Sequence, residues 1–255
     1  SKPAAEFSHK EETALKFYQT MSALSFIVSA WITTKIYNVG FIHFNRLDVK
    51  PKWNHLALLP VYLVAMVPLI TSILEWNQNW KLPESVAEIF LELEGKSDNL
   101  YQVFLSHNTG GSLFFNLFLM ALLPAIGEEL IFRGILQRVF SDWAENEHIG
   151  VILAAILFAV LHFQPFKVVP MIFLAMTLGY MYLYSGSLWV PILFHFLNNA
   201  TVVLVKYLQD IGLEAPILEN DYVFPTLITY LAVVVYVALH AAHRHTRLKP
   251  VPLHD

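Results

Sequence analysis

Three ionisable side chains lie within a strongly apolar stretch of the chain, residues 121–140 (ALLPAIGEELIFRGILQRVF). They are Glu128, Glu129 and Arg133. A charge at bilayer depth costs about 2.5 to 3.5 kcal/mol on insertion scales, so such residues are rare unless they form ion pairs or take part in the function of the protein. Glu129 and Arg133 are four residues apart and can form an ion pair within one helical turn. Glu128 is rotated by about 100° from that pair, which leaves it as a candidate general base.

Polar side chains in two later apolar stretches could complete a reaction site. His162 ends the run Phe158-Ala-Val-Leu-His162, and His195 and Asn199 are four apart on one helix face. Each has a structural alternative: a lone histidine packs by hydrogen bonding, an asparagine joins helices, and the Glu-Glu-Arg trio forms a buried network that fixes packing. A Glu, two His and an Asn on three helices together favour a site of proton transfer or metal binding.

The composition predicts a membrane setting for these residues. The 255 residues are 56% hydrophobic and 14% charged, whereas globular domains average about 45–50% apolar and about 25% charged residues. At about 20 residues per span, the length predicts an all-α, polytopic integral membrane bundle of about seven to eight helices, in one domain covering residues 1–255. The absence of cysteine excludes disulfides, thiolate metal sites and a cysteine nucleophile. The net charge of -4 argues against a nucleic-acid partner.

Seven apolar runs are long enough to be membrane spans. The third is too long for one clean crossing, so we expect Pro124 to bend it or its end to emerge at the surface. The segment 77–111 is either an amphipathic interfacial helix or an ordinary solvated loop helix, followed by a turn at Gly110 and Gly111. The predicted spans are residues 18–41, 55–76, 112–140, 149–163, 168–184, 188–207 and 222–243.

Loop charges predict the orientation, because cytoplasmic loops are enriched in Lys and Arg. With seven crossings, three cationic clusters fall on one side of the membrane, which would be the cytoplasmic side and would hold the C-terminus. The opposite side receives two acidic segments, 84–98 and 210–221. The cationic residues are Arg46, Lys50, Lys52, Arg133, Arg138, Arg244, Arg247 and Lys249.

Three motifs, in this order and all within apolar helices, resemble the signatures of a known family of intramembrane proteases. This is the CAAX-protease and bacteriocin-processing (CPBP) family, also called the ABI family, which includes the Ras-converting CAAX prenyl endopeptidase. The resemblance covers about residues 113–205, and the flanking sequence looks like that of bacterial members, which implies a bacterial inner membrane protein. The motifs are Glu128-Glu129-x-x-x-Arg133, Phe158-x-x-x-His162 and His195-x-x-x-Asn199.

The resemblance implies hydrolysis of a peptide bond of a membrane-associated peptide or protein, with or without a lipid anchor. Transferred to this chain, Glu128 and His162 would hold and deprotonate the attacking water. His195 and Asn199 would donate hydrogen bonds to the oxyanion. Glu129 and Arg133 would be supporting residues that hold the helix and tune Glu128.

Two other interpretations remain at this point. Glu128, His162 and His195 could supply three ligands to a catalytic zinc ion with water as the fourth, although no HExxH motif is present; we favour the site without a metal or other cofactor. Outside enzymes, the same cavity could belong to a non-catalytic immunity or scaffold protein, or to a transporter with a buried proton relay. A protein that only binds its partner should keep that function after Glu128→Gln, whereas a hydrolase should lose its activity.

Overall fold

The computed structural model describes residues 9–105, 109–213 and 228, and within them the secondary structure is helical, with no β-strand. The predicted all-α class is therefore confirmed. A short 3₁₀ turn, Pro165–Lys167, precedes the helix that begins at Val168. The helices are α1 His9–Ile36, α2 Phe41–Phe44, α3 Trp53–Gln78, α4 Glu84–Phe104, α5 Gly110–Trp143, α6 Glu147–Leu161, α7 Val168–Ser185 and α8 Trp189–Asp210.

Four stretches of the described residues are long and apolar enough to cross a membrane: α3, α5, α7 with its preceding turn, and α8. Helix α6 is apolar but shorter, and α1 occupies the first predicted span. Helices thus occupy six of the seven predicted spans. The seventh, 222–243, lies outside the described residues apart from residue 228. The helices support the predicted integral membrane bundle.

Helix α5 is interrupted by two π-helical segments, Leu117–Leu122 and Phe132–Leu136. The first ends directly before the α-helical segment Leu123–Ile131, which has Pro124 in its first turn. Proline has no N–H to donate, so a helix is usually interrupted near it. The α-helical segment between the two interruptions contains both glutamates of the first motif. Single-turn π segments are frequent at functional sites, and here they flank the acidic pair.

Glycines allow the C-terminal part of α5 to pack closely against α6 and α7. A Cβ added at Gly150 on α6 would meet Ser141 Oγ and lie 2.6 Å from the carbonyl oxygen of Gln137. A Cβ at Gly179 on α7 would lie 2.8 Å from Gln137 Oε1. Gln137 Nε2 donates to the carbonyl of Gly179 at 3.1 Å. These three helices therefore form a tight unit, which fixes the side chains that they carry.

Helix α4 is tied to the remainder of the protein by charged side chains. Lys167 Nζ lies 2.8 Å from Glu94 Oε1 and 2.9 Å from Asp98 Oδ1. The predicted helix between the second and third spans is thus present and docked by ion pairs. The predicted turn at Gly110 and Gly111 is wrong, because α5 begins at Gly110, where the Thr109 side chain accepts a hydrogen bond from the backbone N–H of Ser112.

Three arginines assigned to the cytoplasmic surface lie inside the protein instead, and one of them, Arg46, is 7% exposed. Arg133 is 1% exposed and Arg138 is 8% exposed. Arg138 Nη1 donates to the carbonyl oxygen of Phe44. The end of α5 therefore does not place these two charges on the outer surface of the protein, because backbone carbonyls and neighbouring side chains bind them. Lys50 and Lys52 remain exposed.

Candidate active site

A cavity of about 430 Å³ lies among α1, α5, α6, α7, α8 and the end of α4. Its lining includes all four residues that the sequence proposes for the chemistry: Glu128 from α5, His162 after α6, and His195 and Asn199 from α8. Apolar side chains form much of the remaining wall, among them Phe104, Met120 and Leu174. The structure thus brings the predicted residues to one cavity although they are as many as 71 positions apart in the chain.

Glu129 is the centre of a buried charged network beside this cavity. Its Oε1 atom accepts from Arg133 Nη1 at 2.8 Å, within one turn of α5. The same atom lies 2.8 Å from His195 Nδ1 on α8. The ion pair expected from the i,i+4 spacing is present. The link to His195 was not predicted, because it depends on how α5 and α8 are rotated against each other.

Arg133 is held by partners on three helices. Besides Glu129, its Nη2 donates to the backbone carbonyl of Ala175 on α7 at 2.9 Å. Its guanidinium carbon lies 5.0 Å from the ring centroid of Phe158 on α6, a distance typical of a cation–π contact. A buried cation needs such compensation because its desolvation costs several kcal/mol. Arg133 therefore joins α5, α6 and α7 behind the cavity.

The two glutamates have different environments. The Glu129 side chain is fully buried, whereas that of Glu128 is 16% exposed and lines the cavity. Glu128 Oε2 lies 3.8 Å from His195 Nε2. His195 is thus placed between the two carboxylates, with Nδ1 toward Glu129 and Nε2 toward Glu128. This arrangement fixes which ring nitrogen can act in the cavity.

His162 is positioned by the end of α6. The helix ends at Leu161 with His162 as the C-cap residue. His162 Nδ1 lies 2.7 Å from the carbonyl oxygen of Phe158. Because a carbonyl oxygen only accepts, Nδ1 is the donor and carries the proton. Nε2 is then the ring nitrogen that can accept a proton or a hydrogen bond from water in the cavity.

Asn199 has a neighbour that the motif did not include. Asn198 also lines the cavity, and its Nδ2 donates to Asn199 Oδ1 at 3.3 Å. Because that hydrogen bond engages the carbonyl oxygen of Asn199, its amide N–H groups are the part suited to meet a negatively charged oxygen. The i,i+4 spacing that placed His195 and Asn199 on one face is consistent with their shared cavity.

Phe158 connects the polar groups of the site. Its ring lies 4.4 Å from that of His162, 6.0 Å from that of His195 and 5.0 Å from that of Phe132, measured between centroids. It is 3% exposed. The sequence motif contains this residue but gives no sign of its role. An aromatic ring at this point excludes water from the charged network and keeps both imidazoles in place.

The arrangement bears on the zinc alternative. Each histidine has its Nδ1 atom bonded to an acceptor oxygen, as metal-binding histidines commonly have. Within the part of the chain that the structure describes, however, no group of three His, Asp or Glu side chains is arranged to hold a metal ion. In this structure Glu128, His162 and His195 are therefore not arranged as a set of three metal ligands.

Comparison with known proteins gives matches over the same part of the chain. Residues 110–201 match the family described as Type II CAAX prenyl endopeptidase Rce1-like. The uncharacterized protein YpbD of Bacillus subtilis (strain 168) is 37% identical over 86 residues, which are 32% of this chain and 40% of that protein. The chain thus matches less than half the length of this curated relative. No solved structure matches. The predicted resemblance to the CPBP family of CAAX proteases is confirmed for residues 110–201.

Proposed function

We propose that this protein is an intramembrane endopeptidase that hydrolyses a peptide bond with a water molecule activated by Glu128 and His162. The observation that carries the proposal is the shared cavity of Glu128, His162, His195 and Asn199. Similarity to the Rce1-like family supports the same reaction class. The cavity supplies what amide hydrolysis requires: a base for water and donors for the negative charge that develops on the carbonyl oxygen.

The first step uses the cavity-facing carboxylate. Water binds between Glu128 and Nε2 of His162, both of which can accept a proton from it. As the water oxygen attacks the substrate carbonyl carbon, a C–O bond forms and the proton moves to Glu128. The carbonyl π electrons move to oxygen and give a tetrahedral oxyanion. A positioned base of this kind typically contributes a factor of about 10² to 10⁴ in rate.

His195 and Asn199 stabilise that oxyanion. Asn199 donates from its amide N–H. His195 donates from Nε2 in its doubly protonated form, because its Nδ1 proton is directed at Glu129 Oε1. A protonated His195 also balances the buried charges, since two carboxylates then face one guanidinium and one imidazolium. Glu129 and Arg133 accordingly act as positioning residues for His195.

Collapse of the tetrahedral intermediate completes the hydrolysis. The oxyanion electrons reform the carbonyl, the C–N bond breaks, and the proton held by Glu128 moves to the leaving nitrogen. The products are a carboxylic acid and an amine, and Glu128 returns to its ionised state. No oxidant, metal or cofactor enters this sequence.

The substrate class follows from the position of the cavity among apolar helices. A wall containing Phe104, Met120 and Leu174 suits an apolar or membrane-associated segment of a peptide or protein, with or without a lipid anchor. We further propose a bacterial inner membrane location with the C-terminus in the cytoplasm. The exposed lysines Lys50 and Lys52 support this orientation, since positive loop residues face the cytoplasm.

The proposal is tested by hydrolysis in ¹⁸O-labelled water. The purified chain in liposomes is incubated with solubilised bacterial membrane proteins, and new carboxyl termini are identified by mass spectrometry. The wild type should generate termini that carry ¹⁸O, and Glu128→Gln, at equal amounts of folded protein, should not. The absence of labelled termini with the wild type, or equal labelling with Glu128→Gln, would contradict the proposed reaction.

A further inference from the structure

A second cavity, of about 400 Å³, lies apart from the reaction site and shares no lining residue with it. It is formed where α5 and α7 end and α6 begins, together with Arg46, which lies two residues after α2. Its volume is within the range of about 300–1,000 Å³ that is usual for small-molecule sites. The proposed reaction uses none of its residues. The lining includes Arg46, Arg138, Asp142, Glu145, Glu147 and Tyr182.

Exposed tryptophans indicate that this end of the bundle lies at the membrane surface. Trp53 at the start of α3, Trp143 at the end of α5 and Trp189 at the start of α8 are 80%, 77% and 39% exposed. Tryptophan is enriched at the level of lipid headgroups. Because these helix ends lie on the same side as the ends that form the cavity, the cavity opens at headgroup depth.

Two buried arginines provide the cationic part of the cavity. Arg46 is 7% exposed and Arg138 is 8% exposed. Arg46 Nη1 donates to the carbonyl of Gly186 at 3.1 Å, and Arg138 Nη1 donates to the carbonyl of Phe44. These bonds fix both side chains at the cavity wall. A guanidinium has five donors in a planar fork that matches phosphate oxygens.

Carboxylates provide the anionic part, and they are nearer to water. Asp142 and Glu145 are exposed, and Glu147 is half-buried. A ligand with only negative charge would be repelled by these carboxylates, and a ligand with only positive charge would be repelled by the arginines. The charge order from inside to outside is positive and then negative. It therefore suits a ligand whose phosphate lies deeper than its ammonium.

We propose that this cavity binds the phosphoethanolamine headgroup of a phospholipid. Its single phosphate charge would lie at Arg46 and Arg138, and its primary ammonium would face Asp142 and Glu145. In a bilayer the phosphate lies closer to the hydrocarbon than the ammonium does, which is the order of the side chains. Recognition of quaternary ammonium commonly uses an aromatic cage. The only aromatic residue among the lining residues described is Tyr182, so the primary ammonium is favoured over choline.

Native mass spectrometry of the delipidated full chain tests this site. The protein is mixed with equal amounts of short-chain phosphatidylethanolamine, phosphatidylcholine and phosphatidylglycerol. The ethanolamine lipid should bind about tenfold more tightly than the other two, as the loss of one charged contact implies. Soluble glycerophosphoethanolamine is added as a competitor, to test whether the headgroup binds without its acyl chains. Displacement of the lipid supports the proposed headgroup contacts. No displacement at saturating competitor contradicts them.

Variants separate headgroup recognition from loss of folding. Arg138→Gln should weaken binding of both phosphatidylethanolamine and phosphatidylglycerol about tenfold. The surface double variant Asp142→Asn/Glu145→Gln should leave the melting temperature unchanged and reverse the preference toward phosphatidylglycerol. Lys50→Gln, an exposed cation on the same side, should change neither. Equal binding of the three lipids by the wild type, or an unaltered preference in the double variant, would overturn the proposal.

Discussion

His195 Nδ1 and Arg133 Nη1 both lie 2.8 Å from one atom, Oε1 of Glu129. This relationship gives Glu129 a different role from the one expected from sequence. Rather than only neutralising Arg133 and tuning its neighbour Glu128, it orients the imidazole that faces the cavity. Glu129 is thus a buried carboxylate that positions His195, whereas Glu128 is a half-buried carboxylate that can reach water.

Replacing Glu128 by Gln should remove turnover and leave the fold intact. The amide has nearly the same shape but cannot accept the proton from water, so kcat should fall by about 10² to 10⁴. The free energy of unfolding should change by less than about 1 kcal/mol, since Glu128 has no partner within hydrogen-bond distance in the described residues and borders the cavity. Single-turnover cleavage and thermal melting measure the two effects.

The same variant distinguishes the protease from a non-catalytic membrane protein. An immunity or scaffold protein that binds peptides in this cavity should retain its binding and its cellular function with Gln at position 128. Retained peptide binding with lost hydrolysis supports the enzyme. Full biological function without any hydrolysis by either protein would support the binding role.

Glu129→Gln and Arg133→Ala should each lower stability together with activity. Removing one member of a buried ion pair leaves the other uncompensated and typically costs about 3 to 5 kcal/mol. The double variant Glu129→Gln/Arg133→Ala should recover part of that loss, because it leaves no unpaired charge of this pair. Unfolding in denaturant gives the coupling energy from the four proteins.

The matched control is Lys206 and Asp210, an i,i+4 pair that is 2.6 Å apart and whose side chains are 44% and 24% exposed. Substitution of either residue should cost only about 0.3 to 0.5 kcal/mol. If Glu129→Gln were as mild as these control variants and left kcat unchanged, the buried network would not position His195.

Much of the fold and of the cavity could be predicted from sequence. Apolar runs gave the positions of six helices, and the ordered motifs selected Glu128, His162, His195 and Asn199, which all line one cavity. The spacing of Glu129 and Arg133 also gave their contact, because both lie on one helix. Local periodicity and a family resemblance are sufficient for features of these kinds.

Contacts between helices could not be predicted in the same way. The Glu129–His195 link and the Arg133 bond to Ala175 depend on the rotation and depth of α5 against α7 and α8. The π segments of α5 change that rotation within a single helix. Arg138 looked like a surface cation because it follows an apolar run, yet it bonds to a carbonyl 94 positions away.

Asn199→Ala should lower kcat by about 10² to 10³ with little change in KM. An oxyanion donor acts on charge that develops in the transition state, and losses of this size follow removal of one such donor. Asn198→Ala serves as the matched control in the same cavity, because Asn198 bonds to Asn199 Oδ1 and acts only through it. We expect kcat to fall less in Asn198→Ala than in Asn199→Ala. A larger fall in Asn198→Ala would indicate that Asn198, and not Asn199, is the oxyanion donor.

Removal of metal ions should leave the proposed hydrolysis unchanged. The proposed steps use Glu128 and His162 as proton acceptors and need no Lewis acid. Purified active protein should contain less than stoichiometric zinc, and dialysis against a strong chelator should not alter kcat. One bound zinc per chain, with activity lost to the chelator and restored by zinc, would support the metalloprotease alternative instead.

The central claim is that Glu128 is the base for hydrolysis of a membrane-associated peptide or protein. Its most direct test compares the membrane proteomes and released peptides of cells that produce the wild type or Glu128→Ala, at matched levels of inserted protein. The mechanism predicts a membrane substrate that accumulates uncleaved in the variant, and a peptide product that only the wild type releases. Identical substrates and products in the two strains would contradict it.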